Sequence, residues 1–227
     1  MSLTSPDQER AKRAAATAAI ERLAEWKAGP ECALGVGTGS TTNCFIDMLH
    51  ELEEPPAVLV ASSEATRRRL EEAGFGVTAL ADARRLDFYV DGADEAAPDK
   101  ALIKGGGGAL TGEKILVSVS AAFICIVDRT KVVSGLGAFP LPIEVVPLAK
   151  EVVAARMESM GGRVTVRPEL SEYGNVILDV KGIDLSDRDS MEVEVNNLPG
   201  VVTNGLFAAH RPKRVIVGLP SGGCEIL

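Results

Sequence analysis

Residues 31–54 read ECALGVGTGSTTNCFIDMLHELEE. A short apolar run enters a glycine-rich turn, and apolar positions at helical spacing begin near Ser40. This pattern predicts a strand, a tight turn and a helix. Glycines at 35, 37 and 39 let backbone approach a ligand closely. The helix start that follows offers unpaired amides and the positive end of its dipole. Ser40 and Thr41 add hydroxyl donors suited to a phosphate. No G-K-[ST] follows, so this is not a Walker A loop, and Ser40 stands where the last glycine of G-x-G-x-x-G belongs. The plainer alternative is a tight turn before a helix capped by Ser40 or Thr41.

Working outward, residues 7–27 are strong helix formers. Downstream, AVLVAS (57–62) reads as a strand, SEATRRRLEEAG (63–74) as a helix and GVTAL (76–80) as a short strand. LDFYV then runs into the acidic DGADE (91–95), a glycine-rich loop and helix follow at 101–121, and FICIVD (123–128) is a further strand. Such alternation predicts a parallel sheet with helices on its faces. The rhythm changes after Phe139. PLPIEVVP, LAKEVVAARMESMGG, RVTVRPE, NVILDVKG, SDRDSMEVEVNNLPG and VVTNGLFA give strand, helix, strand, strand, helix, strand, the split order of ferredoxin-like domains. RVIVGLP (214–220) then returns to the first sheet. The expected class is α/β: a Rossmann-like doubly wound parallel sheet, residues 1–138 plus 211–227, with an inserted ferredoxin-like (βαββαβ) lobe at 139–210.

The chain has 227 residues, 46% of them hydrophobic, enough for a substantial core without staples. Its net charge of −8 disfavours nucleic acid and anionic membrane surfaces as partners, so an anionic substrate needs a local cluster of donors. The start, MSLTSPDQERAKR, lacks the apolar stretch of a signal peptide, and no apolar run approaches a membrane span. A cytoplasmic location is expected. Cys32, Cys44, Cys125 and Cys224 form no C-x-x-C pair and read as small buried hydrophobes in a reducing compartment. The two histidines, His50 and His210, read as surface residues. Proton chemistry therefore falls to carboxylates and lysines.

Three further segments supply such groups. Asp91-Gly92-Ala93-Asp94-Glu95 crowds three acids at a strand's carboxyl end, where open α/β sheets place ligands, although a solvated acidic turn has the same composition. Lys104-Gly105-Gly106-Gly107-Gly108 leads into ALTGEK, with Glu113 in the first turns of the next helix. Four glycines are costly to order, and a chain accepts that cost where backbone amides must line a site. Asp128-Arg129-Thr130-Lys131 offers a cation at another strand end, or merely a solvated turn.

GVGTGSTT, ASSEAT, DGADE, IKGGGGALTGEK, VDRTKVV and PLPIEVVP, in this order and spacing, resemble the type A ribose-5-phosphate isomerase family. EYGNVILDV and LPGVVTNGLF extend the resemblance into the second lobe. It implies a homodimer or dimer of dimers, no metal or organic cofactor, and interconversion of ribose 5-phosphate and ribulose 5-phosphate in the non-oxidative pentose phosphate pathway. Carried over by position, the sugar phosphate falls on Thr38, Gly39, Ser40 and Thr41 with Lys131. Other substrate contacts fall on Asp91, Gly92, Ala93, Asp94, Lys104, Gly105, Gly106 and Gly107, and Lys12 is the position nearest an N-terminal lysine that assists phosphate binding in some members. The base falls on Glu113, with Asp91 assisting ring opening and Lys104 stabilising the oxyanion. Gly108 and Gly112 depart from the commonest family pattern without removing a functional group.

Two rival classes are a sugar-phosphate-sensing domain and an acyl-CoA transferase using Glu113 as nucleophile. The sequence shows no helix-turn-helix segment before the sheet and keeps Asp91, Asp94, Lys104 and Glu113 together, which disfavours the first. The short chain and the hydroxyl-rich turn disfavour the second.

Overall fold

The computed structural model describes residues 5–227. Along the chain it runs α1 (Pro6–Glu25), β1 (Ala33–Val36), α2 (Ser40–Met48), β2 (Val58–Ala61), α3 (Glu64–Glu72), α4 (Leu80–Ala83) and β3 (Leu86–Asp91). Next come β4 (Glu95–Ala96), β5 (Leu102–Ile103), α5 (Leu110–Ser118), β6 (Ser120–Asp128), β7 (Leu141–Val145) and α6 (Lys150–Ser159). The chain ends with β8 (Arg163–Val166), β9 (Val176–Lys181), α7 (Arg188–Asn196), β10 (Val201–Asn204), β11 (Leu206–Phe207), β12 (Arg214–Gly218) and β13 (Cys224–Ile226). The first four residues of the N-terminal segment read above lie outside the described residues. The chain divides into two compact units, one holding the residues up to Gly92 with Ile115–Val132 and Pro212–Leu227, the other Ala93–Lys114 with Val133–Arg211.

The first unit holds a six-stranded sheet in the order β13-β12-β6-β3-β1-β2. All its neighbours are parallel except the β12–β13 pair. Numbered along the chain, the five parallel strands lie in the order 2-1-3-4-5, a Rossmann-like doubly wound arrangement that reverses between β1 and β3. Ligands in such sheets sit outside the carboxyl ends of the strands at the reversal. The topology therefore nominates the loops after Val36 and Asp91. The strands are apolar because both faces are covered: β1 is buried at all four positions. Leu34, Val36, Val90, Ile124, Ile126 and Ile216 meet Ala15, Ala16, Ala19 and Leu23 of α1 and Phe45 and Ile46 of α2 in one core. Each fully buried large aliphatic or aromatic side chain contributes about 1.5–3 kcal/mol.

The second unit carries an antiparallel sheet in the order β10-β7-β9-β8, built from β7-α6-β8-β9-α7-β10. That is the ferredoxin-like lobe in its 4-1-3-2 order. Its core joins Ile143, Val145, Leu178 and Val180 to Val153 and Met157 of α6 and Val195 of α7. Asp187 starts α7 by accepting the Ser190 amide at 3.1 Å. A second, small sheet, β11-β5-β4, belongs to the same unit.

Several elements differ from expectation. GVTAL is not a strand: Thr78 donates a single backbone bond to Leu59 O (2.7 Å), and α4 begins at Leu80. With Gly76 opening it and Gly74 two residues before, the segment is too short to hold a ladder. VVTNGLFA splits at Gly205, because Asn204 Oδ1 accepts the Leu206 amide at 2.9 Å and turns the chain from β7 to β5. Cys44 and Cys125 are buried as expected, but Cys32 is half-buried and Cys224 exposed on the edge strand β13. Among the described residues, no helix is long and apolar enough to cross a membrane.

Candidate active site

In the first unit, β1 ends at Val36 and α2 starts at Ser40, so Gly37, Thr38 and Gly39 make the turn. Gly39, at φ +133°, is the N-cap of α2, and no side chain caps that helix. By contrast α1, α3 and α7 are capped by Ser5, Ser63 and Asp187. No side chain satisfies the amides opening α2, an arrangement suited to an anion, and Ser40 is exposed and Thr41 half-buried beside them.

Thr38 is engaged differently. Its amide donates to Asp91 Oδ1 at 3.0 Å, and its hydroxyl bonds Ser62 (2.8 Å), Ser63 (2.8 Å) and Thr66 (3.1 Å). Thr66 in turn donates to Gly37 O at 2.7 Å. This hydroxyl cluster braces the turn from β2 and α3. Its signal, the run ASSEAT, was visible in the sequence, but its partner followed only from the pairing of β2 with β1. Asp91 is fully buried. Besides Thr38, its Oδ1 accepts the Gly92 amide at 2.7 Å, and Oδ2 accepts the Tyr89 hydroxyl. It ties the two loops at the sheet reversal together. Lys131 is half-buried in a 3-10 turn whose N-cap, Asp128, accepts the Thr130 amide at 2.9 Å, and Lys131 forms no ion pair among the described residues. Lys12 is buried on α1.

In the second unit, Lys104 follows β5 and Glu113 lies in the first turn of α5. Lys104 Nζ lies 3.4 Å from Glu113 Oε2, with both side chains almost wholly buried. The same ammonium stands 5.5 Å from the centroid of the Phe207 ring. Removal from water strengthens the attraction between such charges. Between them the glycine run bends sharply, with Gly105 at φ +98° and Gly108 at φ +80°, conformations that favour glycine. Gly106 and Gly107 are exposed. Asp94 is half-buried, accepts the Gly106 amide at 2.7 Å and donates its own amide to Ile103 O at 2.8 Å. Gly92 and Ala93 are half-buried.

The acidic trio divides by task. Glu95 is buried and accepts the amides of Gly137 (2.7 Å) and Phe139 (2.5 Å), so it holds a loop. Several charged groups drew no role in the sequence reading. Glu144, fully buried on β7, accepts Thr111 Oγ1 (2.6 Å), Ser171 Oγ (2.7 Å) and Asn175 Nδ2 (2.9 Å), which fixes the first turn of α5. A lone acid inside the apolar PIEVV was its signal. Lys114 pairs with Glu192 at 2.6 Å and lies 4.6 Å from the Phe207 ring centroid. Burial pushes the Lys114 pKa below the ordinary lysine value, and the Glu192 charge opposes that shift. Both histidines are exposed, and His50 stacks on Phe75 at 4.3 Å. No group of three histidine, cysteine or acidic side chains suited to a metal occurs among the described residues.

The sheet order, the ferredoxin-like lobe and the buried acid–lysine pair define an α/β protein whose candidate site is built from carboxylates and lysines. Residues 58–222 match the family model described as ribose 5-phosphate isomerase A (phosphoriboisomerase A). Ribose-5-phosphate isomerase A of Bordetella parapertussis is 48% identical over 202 residues, 88% of this chain and 89% of that one. The crystal structure of ribose 5-phosphate isomerase A from Neisseria gonorrhoeae superposes with a TM-score of 0.92 at 37% identity, covering 99% of this chain and 98% of that one. A D-ribose-5-phosphate isomerase in complex with phospho-erythronic acid superposes with a TM-score of 0.89 at 34% identity, covering 96% and 98%. The chain belongs to the ribose 5-phosphate isomerase A family.

Proposed function

We propose that the chain interconverts D-ribose 5-phosphate and D-ribulose 5-phosphate through an enediolate, with Glu113 as the base. The observation that carries this reading is the buried Lys104–Glu113 pair, 3.4 Å apart at the two ends of the glycine loop. Once the sugar ring has opened, the Glu113 carboxylate takes the proton from C2. The C–H electron pair forms the C1–C2 double bond, and charge moves onto O1. A proton then passes between O2 and O1, and Glu113 returns the carbon-bound proton to C1. An ordinary carboxylate is far too weak a base for this carbon unaided. The Lys104 ammonium and glycine-loop amides narrow the gap by stabilising the oxyanion as it forms, an effect worth several kcal/mol per donor.

The amides opening α2, with Ser40, Thr41 and Lys131, take the phosphate. Binding energy from a phosphate remote from the reacting carbons offsets the cost of orienting them. Thr38 and Asp91 act mainly through the turn they brace, since the Thr38 amide and both carboxylate oxygens of Asp91 already serve hydrogen bonds. The further step proposed for Asp91 is ring opening, by moving a proton at the ring oxygen or the anomeric hydroxyl. Asp94 orients hydroxyls. The chemistry needs no metal or organic cofactor, and family membership supports a cytoplasmic homodimer or dimer of dimers.

The test is Glu113→Gln. It should leave ribose 5-phosphate binding largely intact and lower kcat by about two orders of magnitude or more. Retained turnover would exclude Glu113 as the base. A thioester on Glu113 after incubation with an acyl-CoA, revealed by hydroxylamine, would favour transferase chemistry instead.

A further inference from the structure

Arg167 stands directly after β8, and its amide donates to Ile177 O at 2.9 Å, prolonging the β8–β9 ladder. Its guanidinium grips Asp179 in a fork, Nε to Oδ2 at 2.9 Å and Nη2 to Oδ1 at 2.6 Å. The remaining nitrogen, Nη1, donates to two carbonyls of the glycine loop, Gly105 O at 3.0 Å and Gly106 O at 3.2 Å. The chain contains no cis peptide bond among the described residues, and in a trans peptide the carbonyl and the following N–H point in opposite directions. Two carbonyls converging on one nitrogen therefore turn the amides of Gly106 and Gly107 away from it. The Gly106 amide meets Asp94 on that far side at 2.7 Å. The Gly107 amide faces the same way, from an exposed residue.

We propose that Arg167 is a positioning residue for the isomerisation, aiming the Gly107 amide at the oxygen on which enediolate charge develops. Two physical effects converge here. Asp179 holds the guanidinium fork in one orientation, so the loop is ordered before substrate arrives. A cation bonded to a peptide carbonyl also polarises that peptide, which makes its N–H the stronger donor. The inference rests on the isomerase reading above, and its test separates the two.

Arg167→Met keeps the aliphatic stem and removes the grip. Turnover of ribose 5-phosphate should fall about 10–100-fold in kcat, with KM changed less than threefold, since an aimed oxyanion donor acts mostly in the transition state. Calorimetry supplies a readout that a general packing defect would not produce. Phospho-erythronic acid, whose carboxylate resembles the enediolate, should bind the variant at least tenfold more weakly, while inorganic phosphate binds as to wild type. Arg167→Lys, able to reach one carbonyl but not to form the fork, should recover part of kcat. Asp179→Asn, which keeps the guanidinium, should fall between wild type and Arg167→Met, and these two carry the test if Arg167→Met does not fold. Unchanged kcat in folded Arg167→Met overturns the inference, as does equal weakening of phosphate and phospho-erythronic acid. Wild-type protein without turnover would sink the isomerase reading instead, and the calorimetric comparison would still decide on Arg167.

Discussion

Replacing Gly37 by alanine should be among the most damaging single-methyl changes in this chain. Gly37 does not have a positive φ, so the backbone itself tolerates a side chain. The obstacle is contact: a Cβ there would lie 1.8 Å from Asp91 Cγ and 1.9 Å from Oδ1. The carboxylate would have to withdraw by roughly 1.5 Å to restore van der Waals separation, and its bonds to the Thr38 and Gly92 amides would not survive such a shift. Hydrogen bonds to a charged group contribute about 1.5–3 kcal/mol each, so the loss of two predicts destabilisation of about 3–6 kcal/mol. Urea unfolding followed by circular dichroism measures it. A cycle isolates the cause, because in an Asp91→Gly background the added methyl meets no carboxylate and should cost less than about 1 kcal/mol. A cost below that figure in the wild-type background would refute the reasoning, as would an equal cost in both backgrounds.

Other outcomes are equally definite. Ser40→Ala and Lys131→Ala should each raise KM for ribose 5-phosphate about tenfold or more while leaving affinity for unphosphorylated ribose unchanged, and equal losses would show that neither residue meets the phosphate. Burial holds the Lys114 pKa down, so the unfolded chain binds more protons between that value and 10.5, and stability contributed by this group rises with pH in that window. Glu192→Gln removes the charge that opposes the shift and should destabilise the protein by about 3–5 kcal/mol at pH 7. That deficit should narrow as pH approaches 10, and urea titrations showing a constant or growing deficit would exclude the pairing as its source. Burial, then the Glu9 charge, pushes the Cys44 thiol up to about 11, so iodoacetamide at pH 8 should modify Cys32 and Cys224 first, with peptide mass spectrometry giving the order.

How far the sequence carried these conclusions depended on whether the signal was local. The strand-turn-helix at residues 33–48 was legible because its apolar run, glycines and hydroxyls lie within one short segment. The ferredoxin-like lobe was legible from the order of its segments, strand, helix, strand, strand, helix, strand, with glycine or polar turns between them. The three-stranded sheet escaped notice because β4, β5 and β11 are two residues long, below any periodicity. Glu144, Glu192 and Arg167 went unnoticed for another reason: each acts on chain more than ten residues away, and a single charge in an apolar or mixed segment does not say which partner it will find. The division of labour within DGADE was equally hidden, since three similar carboxylates become a buried tie, a half-buried loop contact and a loop anchor only through their neighbours.

The most direct measurement is proton NMR of ribose 5-phosphate incubated with the metal-free protein in D₂O, run in parallel with Glu113→Gln. Wild-type protein should generate ribulose 5-phosphate carrying solvent deuterium at C1 and, on reversal, ribose 5-phosphate deuterated at C2, while the variant does neither on the same timescale. No ketose from the wild-type chain, or deuterium entering as fast with Glu113→Gln, would contradict the assignment of one buried glutamate as the group that moves the carbon-bound proton.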